Sequence, residues 1–230
     1  LSIPYSPETE EALLDYLFRF VTPERKDRML QVVSSRTDFI RVVLEDIYQP
    51  HNASAVIRSC ECFGISNLHV IENNYAYTVN RDVAMGASKW IQLNRHNSEQ
   101  CNNSSACLDS LRKEGYRIVA TSLDPDSVPI EELPIDQPIA LCFGTEETGL
   151  SSFILQSADL KTHIPMYGFT QSFNISVSAA LSLASLRQRL QPKFNEFALC
   201  EAQRRRTLLS WLRQSIPRAE RIEKAFLEGK

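Results

Sequence analysis

Apolar positions along this chain change their spacing several times, and each change marks an element. Over residues 6–36 they recur at helical intervals, through Leu13, Leu14, Leu17, Phe18 and Phe20. A second helix restarts after Thr22-Pro23-Glu24, where proline suits a first helical position. Residues 41–46 then switch to a short β-branched run that predicts a strand. Helices are predicted over 52–63, 104–114, 151–156 and 174–190, with Gly64 and Gly115 as stops. Strands are predicted over 68–71, 90–93, 116–121, 138–143 and 162–165, and residues 97–105 read as a polar loop. Beyond Gln191-Pro192 the pattern turns polar, with helices over 196–212 and 217–227 that lie outside the core.

Strands alternating with helices predict an α/β fold, a mainly parallel sheet with helices on both faces. Ligands in such sheets sit at the carboxyl ends of the strands. The expected organisation has three parts. Residues 1–40 form an N-terminal helical extension, 41–190 the sheet domain, and 191–230 a C-terminal basic helical extension.

Composition narrows the class. The 230 residues are 43% hydrophobic and 23% charged, ordinary for a globular chain with one substantial core. No apolar run approaches the roughly 20 residues that span a bilayer. Leu1-Ser2-Ile3-Pro4-Tyr5 has neither the basic nor the apolar region of a signal peptide, so a cytoplasmic protein without a membrane partner is expected. The six cysteines form no CxxC pair, several lie in apolar patterns, and the four histidines form no ligand spacing; thiols in structural roles and no metal are expected. The net charge of −3 hides an asymmetry: between Arg187 and Lys230, eleven Lys and Arg face five Asp and Glu. That basic tail on an acidic body suits either a docked polyanion or a solvated helical face.

Three stretches carry candidate chemistry. In His51-Asn52-Ala53-Ser54-Ala55-Val56-Ile57-Arg58, a helix opens after a strand; Asn52 either caps it or faces a ligand, and Arg58 is either a surface charge or a phosphate fork. Phe143-Gly144-Thr145-Glu146-Glu147-Thr148-Gly149-Leu150-Ser151 leaves a strand through two glycines. It lacks the P-loop ending, and GxGxxG is absent from the chain. Gly144 permits close backbone approach to a ligand, and the adjacent carboxylates favour a neutral or cationic one. In Ile164-Pro165-Met166-Tyr167-Gly168-Phe169-Thr170-Gln171-Ser172-Phe173-Asn174-Ile175-Ser176 a polar turn enters a helix. Ser178, Ala179, Ala180, Ser182, Ala184 and Ser185 then give that helix a small-residue face for close packing.

In order, spacing and strand context these stretches resemble the three motifs of the SpoU family of RNA 2′-O-ribose methyltransferases. They are Asn52-x5-Arg58, Phe143 through Ser151, and Ile164-Pro165-Met166 with Ser172-x-Asn174-x-Ser176. Pro50-His51-Asn52, Ser88-Lys89-Trp90, Gln171 through Val177 and Arg187-Gln188-Arg189-Leu190 resemble the branch that methylates guanosine 18 in the tRNA D-loop. Phe173 stands where that branch more often has leucine.

The resemblance implies a deep C-terminal trefoil knot that binds S-adenosylmethionine, and a homodimer with sites at its interface. It implies catalytic roles for Arg58, Asn52, Glu146, Ser172 and Asn174, with Asn52 holding either Arg58 or the third motif's turn. Thr121, Gly144, Ile164, Met166 and Phe173 should contact the cofactor. tRNA binding would fall to Arg187, Arg189, Arg204, Arg205, Arg206, Arg25 and Arg36, helped by Lys26 and Arg28. Another tRNA ribose, 23S rRNA, and a knotted RNA-binding protein without catalysis are the alternatives.

Overall fold

The computed structural model describes residues 5–78 and 80–229. Residues 1–4, most of the stretch read as lacking a leader, lie outside the described residues, as do Val79 and Lys230. The described chain forms two units, residues 37–197 and a helical unit that joins 1–36 to 198–230. The two terminal extensions, expected as separate parts, therefore cluster together. Among the described residues no helix is long and apolar enough to cross a membrane.

In the larger unit β1 (Ile40–Glu45), β2 (Asn67–Ile71), β3 (Gln92–His96), β4 (Arg117–Thr121), β5 (Val128–Pro129), β6 (Ile139–Phe143) and β7 (Leu160–His163) form one sheet. Its order is β3-β2-β1-β6-β4-β7-β5, and its strand pairs run parallel. Every residue of the central strands β1 and β6 is buried. This is why β6 and the Val42-Val43-Leu44 centre of β1 read as apolar runs rather than alternations, with Arg41 and Glu45 buried near the ends of β1.

The two faces are read from register. Ile40, Val42 and Leu44 of β1 join Ile139, Leu141 and Phe143 of β6 in the cluster beneath α3 (Pro50–Cys62) and α7 (Ile175–Leu190). Val43, Ala140 and Cys142 point to the other side, under α5 (Asn103–Lys113) and α6 (Ser152–Ser157). Each fully buried aliphatic contributes about 1.5–3 kcal/mol. On the small-residue face of α7, Ala179 is buried in the core and Ser178 and Ser182 line a cavity at the strand ends.

Several boundaries differ from the expected ones for local reasons. Pro50 starts α3 at its first turn, so Gln49 is the cap residue and Asn52 lies inside the helix. Asn52 is therefore not the N-cap. β3 runs Gln92–His96 rather than 90–93, because Gly86, at φ 79°, opens a 3-10 turn over Ala87–Lys89 that ends at Trp90. A short α4 (Arg81–Ala84) precedes that turn. The last strand begins at Leu160, and Ile164-Pro165 lie beyond its end. Asn174 is the cap of α7, its Oδ1 accepting from the Ser176 N–H at 2.9 Å.

In the helical unit α1 (Pro7–Phe18) and α2 (Pro23–Ser34) begin at prolines behind the caps Ser6 and Thr22. They pack with α9 (Glu201–Ser215), and α1 also meets α10 (Ala219–Leu227). The helix expected over 196–212 is broken: α8 (Phe194–Phe197) ends before α9 starts.

Candidate active site

The site gathers where β4, β6 and β7 end, as the strand order requires. A cavity of about 390 Å³ opens there, within the range of small-molecule sites. Thr121, Gly144, Ile164, Met166 and Phe173, all five expected cofactor contacts, line it, together with Glu146 and Ser172. Thr121 donates its hydroxyl to the Cys142 carbonyl at 2.8 Å, pinning β4 to β6 at the cavity wall.

Gly144 has a reason of its own. A Cβ there would lie 2.1 Å from the Gly149 carbonyl carbon and 2.2 Å from the Leu150 nitrogen. The second motif folds back on itself, Thr145 and Gly149 exchanging two backbone hydrogen bonds of 3.0 Å. Glycine is required by that turn, not only by a ligand's approach. The turn is tied down from below by Glu45, buried at the end of β1. Its carboxylate accepts from the Ser151 N–H and hydroxyl, both at 2.8 Å, and from Ser104 Oγ at 2.7 Å.

Asn174 is the hub that joins the three motifs. Its Nδ2 donates to Asn52 Oδ1 at 3.1 Å and to Glu146 Oε1, while the Ile175 N–H points to the same carboxylate at 3.4 Å. Asn52 in turn donates to Gln49 Oε1 at 2.7 Å. Of the two partners expected for Asn52, the geometry gives the third motif's turn. Arg58 is not brought to this group. It is exposed, six residues on from the buried Asn52, which puts the two roughly 120° apart around the helix. Among the described residues it has no ion-pair or hydrogen-bond partner.

The cavity walls also include residues that the motifs did not name. Leu123 follows β4, His163 ends β7, and Ser122, Leu155 and Thr162 also line it. His163 Nδ1 lies 2.8 Å from Ser127 Oγ. The rule that ligands meet strand ends was the signal available for Leu123 and His163.

The expected RNA contacts divide. In the helical unit Arg25 and Arg206 are exposed and Arg204 is half-buried. Arg205 lies 3.7 Å from Glu10 and 3.8 Å from Glu11, and Arg206 lies 3.5 Å from Glu10. Arg36 is 1% exposed with its guanidinium over the Trp211 ring at 5.4 Å, a buried position in place of the surface one expected of an RNA contact. In the sheet unit Arg189 donates to the carbonyls of Ile130 and Leu133 at 2.9 and 2.6 Å, and Arg187 lies 3.5 Å over the Phe194 ring. Both hold α7 in place.

Histidines without ligand spacing in sequence do meet in space. His69 Nδ1 lies 3.2 Å from His96 Nε2, and Cys107 is close enough that the three side chains' ligand atoms fall within 4.8 Å of one another. Burial, then Arg41 and His96, lowers the His69 pKa to about 3, and burial pushes the Cys107 thiol up to about 12. Among the described residues no cysteine forms a disulfide.

A parallel α/β sheet whose second and third motifs line a strand-end cavity, with the first motif joined to them through Asn52 and Asn174, defines a ligand-binding enzyme class rather than a structural module. The chain belongs to the SpoU rRNA Methylase family, whose model matches residues 39–184. It is 45% identical over 207 residues to the tRNA (guanosine(18)-2′-O)-methyltransferase of Borreliella burgdorferi, covering 90% of this chain and 93% of that one. It is 30% identical to the protein of the same description from Thermus thermophilus, over 84% of this chain and 98% of the relative. Among solved structures, the Aquifex aeolicus TrmH/SpoU tRNA modifying enzyme superposes with a TM-score of 0.75 at 27% identity, covering 85% of this chain and 98% of that chain.

Proposed function

We propose that this chain transfers a methyl group from S-adenosylmethionine to the 2′-hydroxyl of a tRNA ribose, that of guanosine 18 in the D-loop. The observation that carries the reading is the hydrogen-bonded group Asn52–Asn174–Glu146 beside a cavity lined by the five expected cofactor residues. The relatives described as guanosine-18 methyltransferases match over most of their length, which supports the substrate.

The lining fits this cofactor. Among its described residues there is no lysine or arginine to hold a phosphate, whereas Phe143, Ile164, Met166 and Phe173 offer apolar walls and Glu146 a carboxylate. Such a donor set suits a neutral adenosyl group and a cationic sulfonium. When bound, S-adenosylmethionine supplies a methyl group already activated by its sulfonium.

The protein's own contribution is orientation and proton handling. Asn52 and Glu146 hold Asn174, and so fix the turn that enters α7 at the cavity rim. Ser172, in the lining, offers a hydroxyl beside them. Arg58 would bind the phosphate next to the target ribose and polarise its hydroxyl as a donor, while the ribose oxygen takes the methyl, its proton is released to water and S-adenosylhomocysteine is left behind. Since Arg58 stands apart from its own chain's Asn174, it serves the site of a second copy in a homodimer. Val177 and Leu181, exposed apolar residues on α7, with Tyr167 and Phe169 in the turn before it, support such a contact. The turn from Ile164 to Ser176 is part of the trefoil knot in this reading. Arg25, Arg204 and Arg206 supply RNA phosphate contacts in the helical unit, and the enzyme works in the cytoplasm.

The test is methyl transfer from labelled S-adenosylmethionine to unmodified tRNA transcripts, with nuclease mapping of the product. A single 2′-O-methylguanosine in the D-loop supports the proposal. Methylation at the anticodon ribose or of 23S rRNA only would move the target, and no cofactor binding would sink the reading.

A further inference from the structure

At the mouth of the first motif two tyrosines stand open to solvent. Tyr48 is 41% and Tyr75 51% exposed, and their rings lie 5.2 Å apart at 47°. Large exposed aromatics side by side are costly to leave in water unless they meet something. We propose that Tyr48 and Tyr75 form a stacking platform for an unstacked nucleobase of the RNA substrate, next to the methylated ribose; this rests on the methyltransferase reading above.

Three observations point to a nucleobase. The first is continuity with the site: Tyr48 adjoins Gln49, whose side chain reaches its hydroxyl at 3.5 Å and also accepts from Asn52 at 2.7 Å. Asn52 in turn accepts from Asn174, so a chain of contacts runs from the platform to the cavity rim.

The second is preorganisation. Asp46, at φ 53°, takes a left-handed turn that aspartate, unlike most non-glycine residues, adopts readily. Its buried carboxylate accepts from the backbone N–H groups of Asn73 at 2.7 Å, Asn74 at 2.8 Å and Tyr75 at 3.4 Å, and from Asn74 Nδ2 at 2.8 Å. The loop after β2 is thereby fastened to the loop after β1, and the two rings are held together before any ligand arrives. The third is shape. Two exposed rings 5.2 Å apart offer flat apolar faces of the kind on which an unstacked base stacks.

The test compares Tyr75→Ala, Tyr48→Ala and Tyr75→Phe with the unsubstituted protein. Methyl transfer to unmodified tRNA gives kcat/KM, equilibrium binding gives the S-adenosylmethionine Kd, and sedimentation gives the mass of the assembly. Losing one stacked base lowers kcat/KM for tRNA by about tenfold or more in each alanine variant. Tyr75→Phe, which keeps the ring, recovers most of that loss, and cofactor Kd and assembly mass stay as they were. Retained kcat/KM in both alanine variants would overturn the platform while leaving the methyltransferase reading intact. A loss that comes with a changed mass would make the pair a contact between copies, and a loss that comes with weaker cofactor binding would make it structural; either overturns the platform. Absence of transfer by the unsubstituted protein to any RNA overturns the methyltransferase reading and the platform with it.

Discussion

Asn174 Nδ2 donates to Asn52 Oδ1 at 3.1 Å, across 122 residues of sequence. The bond joins the cap of α7 to the first turn of α3, and Glu146 closes the group from the third side. The three side chains form one hydrogen-bonded group centred on Asn174.

Asn52→Ala and Asn174→Ala should therefore each lower methyl transfer by about 100-fold, as misplacement of a positioned group does. Combined, they should cost little more than either alone, because residues acting as one unit are not additive. Steady-state kinetics of the two single variants and the double variant checks this. Fully multiplicative losses would show that the two asparagines work apart.

Arg58 offers a different kind of check. In the homodimer proposed above, Arg58→Ala alone and Asn174→Ala alone should each be strongly impaired. If Arg58 serves the partner's site, dissociating the two variants and reassociating them together restores transfer, since each mixed dimer holds one site with both residues. No recovery in demonstrated mixed dimers would put Arg58 at its own subunit's site.

Much of this was legible in the sequence. The switch from helical spacing to β-branched runs located the core strands, and the spacing of the second and third motifs marked residues that line the cavity. What escaped was set by contacts far apart in the chain. The position of Asn52 turned on Pro50 opening the helix earlier, and the start of β3 on the 3-10 turn after Gly86. Arg36 read as one more surface cation because its burial against Trp211 leaves no periodic mark. The tyrosine pair depends on Asp46 fastening two loops, which no local pattern encodes.

Glu45 is the buried support of the second motif. Charge-assisted hydrogen bonds contribute about 1.5–3 kcal/mol each, so Glu45→Gln, which keeps the shape but loses the charge and one acceptor, should destabilise by about 2 kcal/mol. It should also weaken S-adenosylmethionine binding, because Ser151 and the Thr145–Gly149 turn lose their anchor. Chemical denaturation and cofactor titration together test it; lost stability with unchanged cofactor affinity would separate Glu45 from the site.

His69 makes stability depend on pH. Its folded pKa of about 3 lies below the usual value of 6.5, so the unfolded chain takes up a proton that the folded chain refuses. The stability associated with neutral His69 is complete above pH 6.5 and is lost as the pH falls from there towards 3. The slope is at most about 1.4 kcal/mol per pH unit. His69→Gln should flatten the fall of Tm between pH 6.5 and 4.5, measured against the parent protein, and an identical fall would assign it to other groups.

The arginines of the helical unit separate by exposure. Arg206 is exposed and lies 3.5 Å from Glu10, a geometry that costs little to exchange for a phosphate. Arg206→Ala should weaken tRNA binding and make the slope of log K against log salt shallower by about 0.7–0.9, the value of one phosphate contact. Arg36, buried over Trp211, should behave oppositely. Arg36→Ala removes packing as well as charge and should cost about 2 kcal/mol of stability, without changing the salt slope. Filter binding across a salt series, with thermal melts of the same variants, distinguishes the two. A shallower slope for Arg36→Ala would mean that its guanidinium reaches RNA after all, and an unchanged slope for Arg206→Ala would remove it from the RNA contact surface.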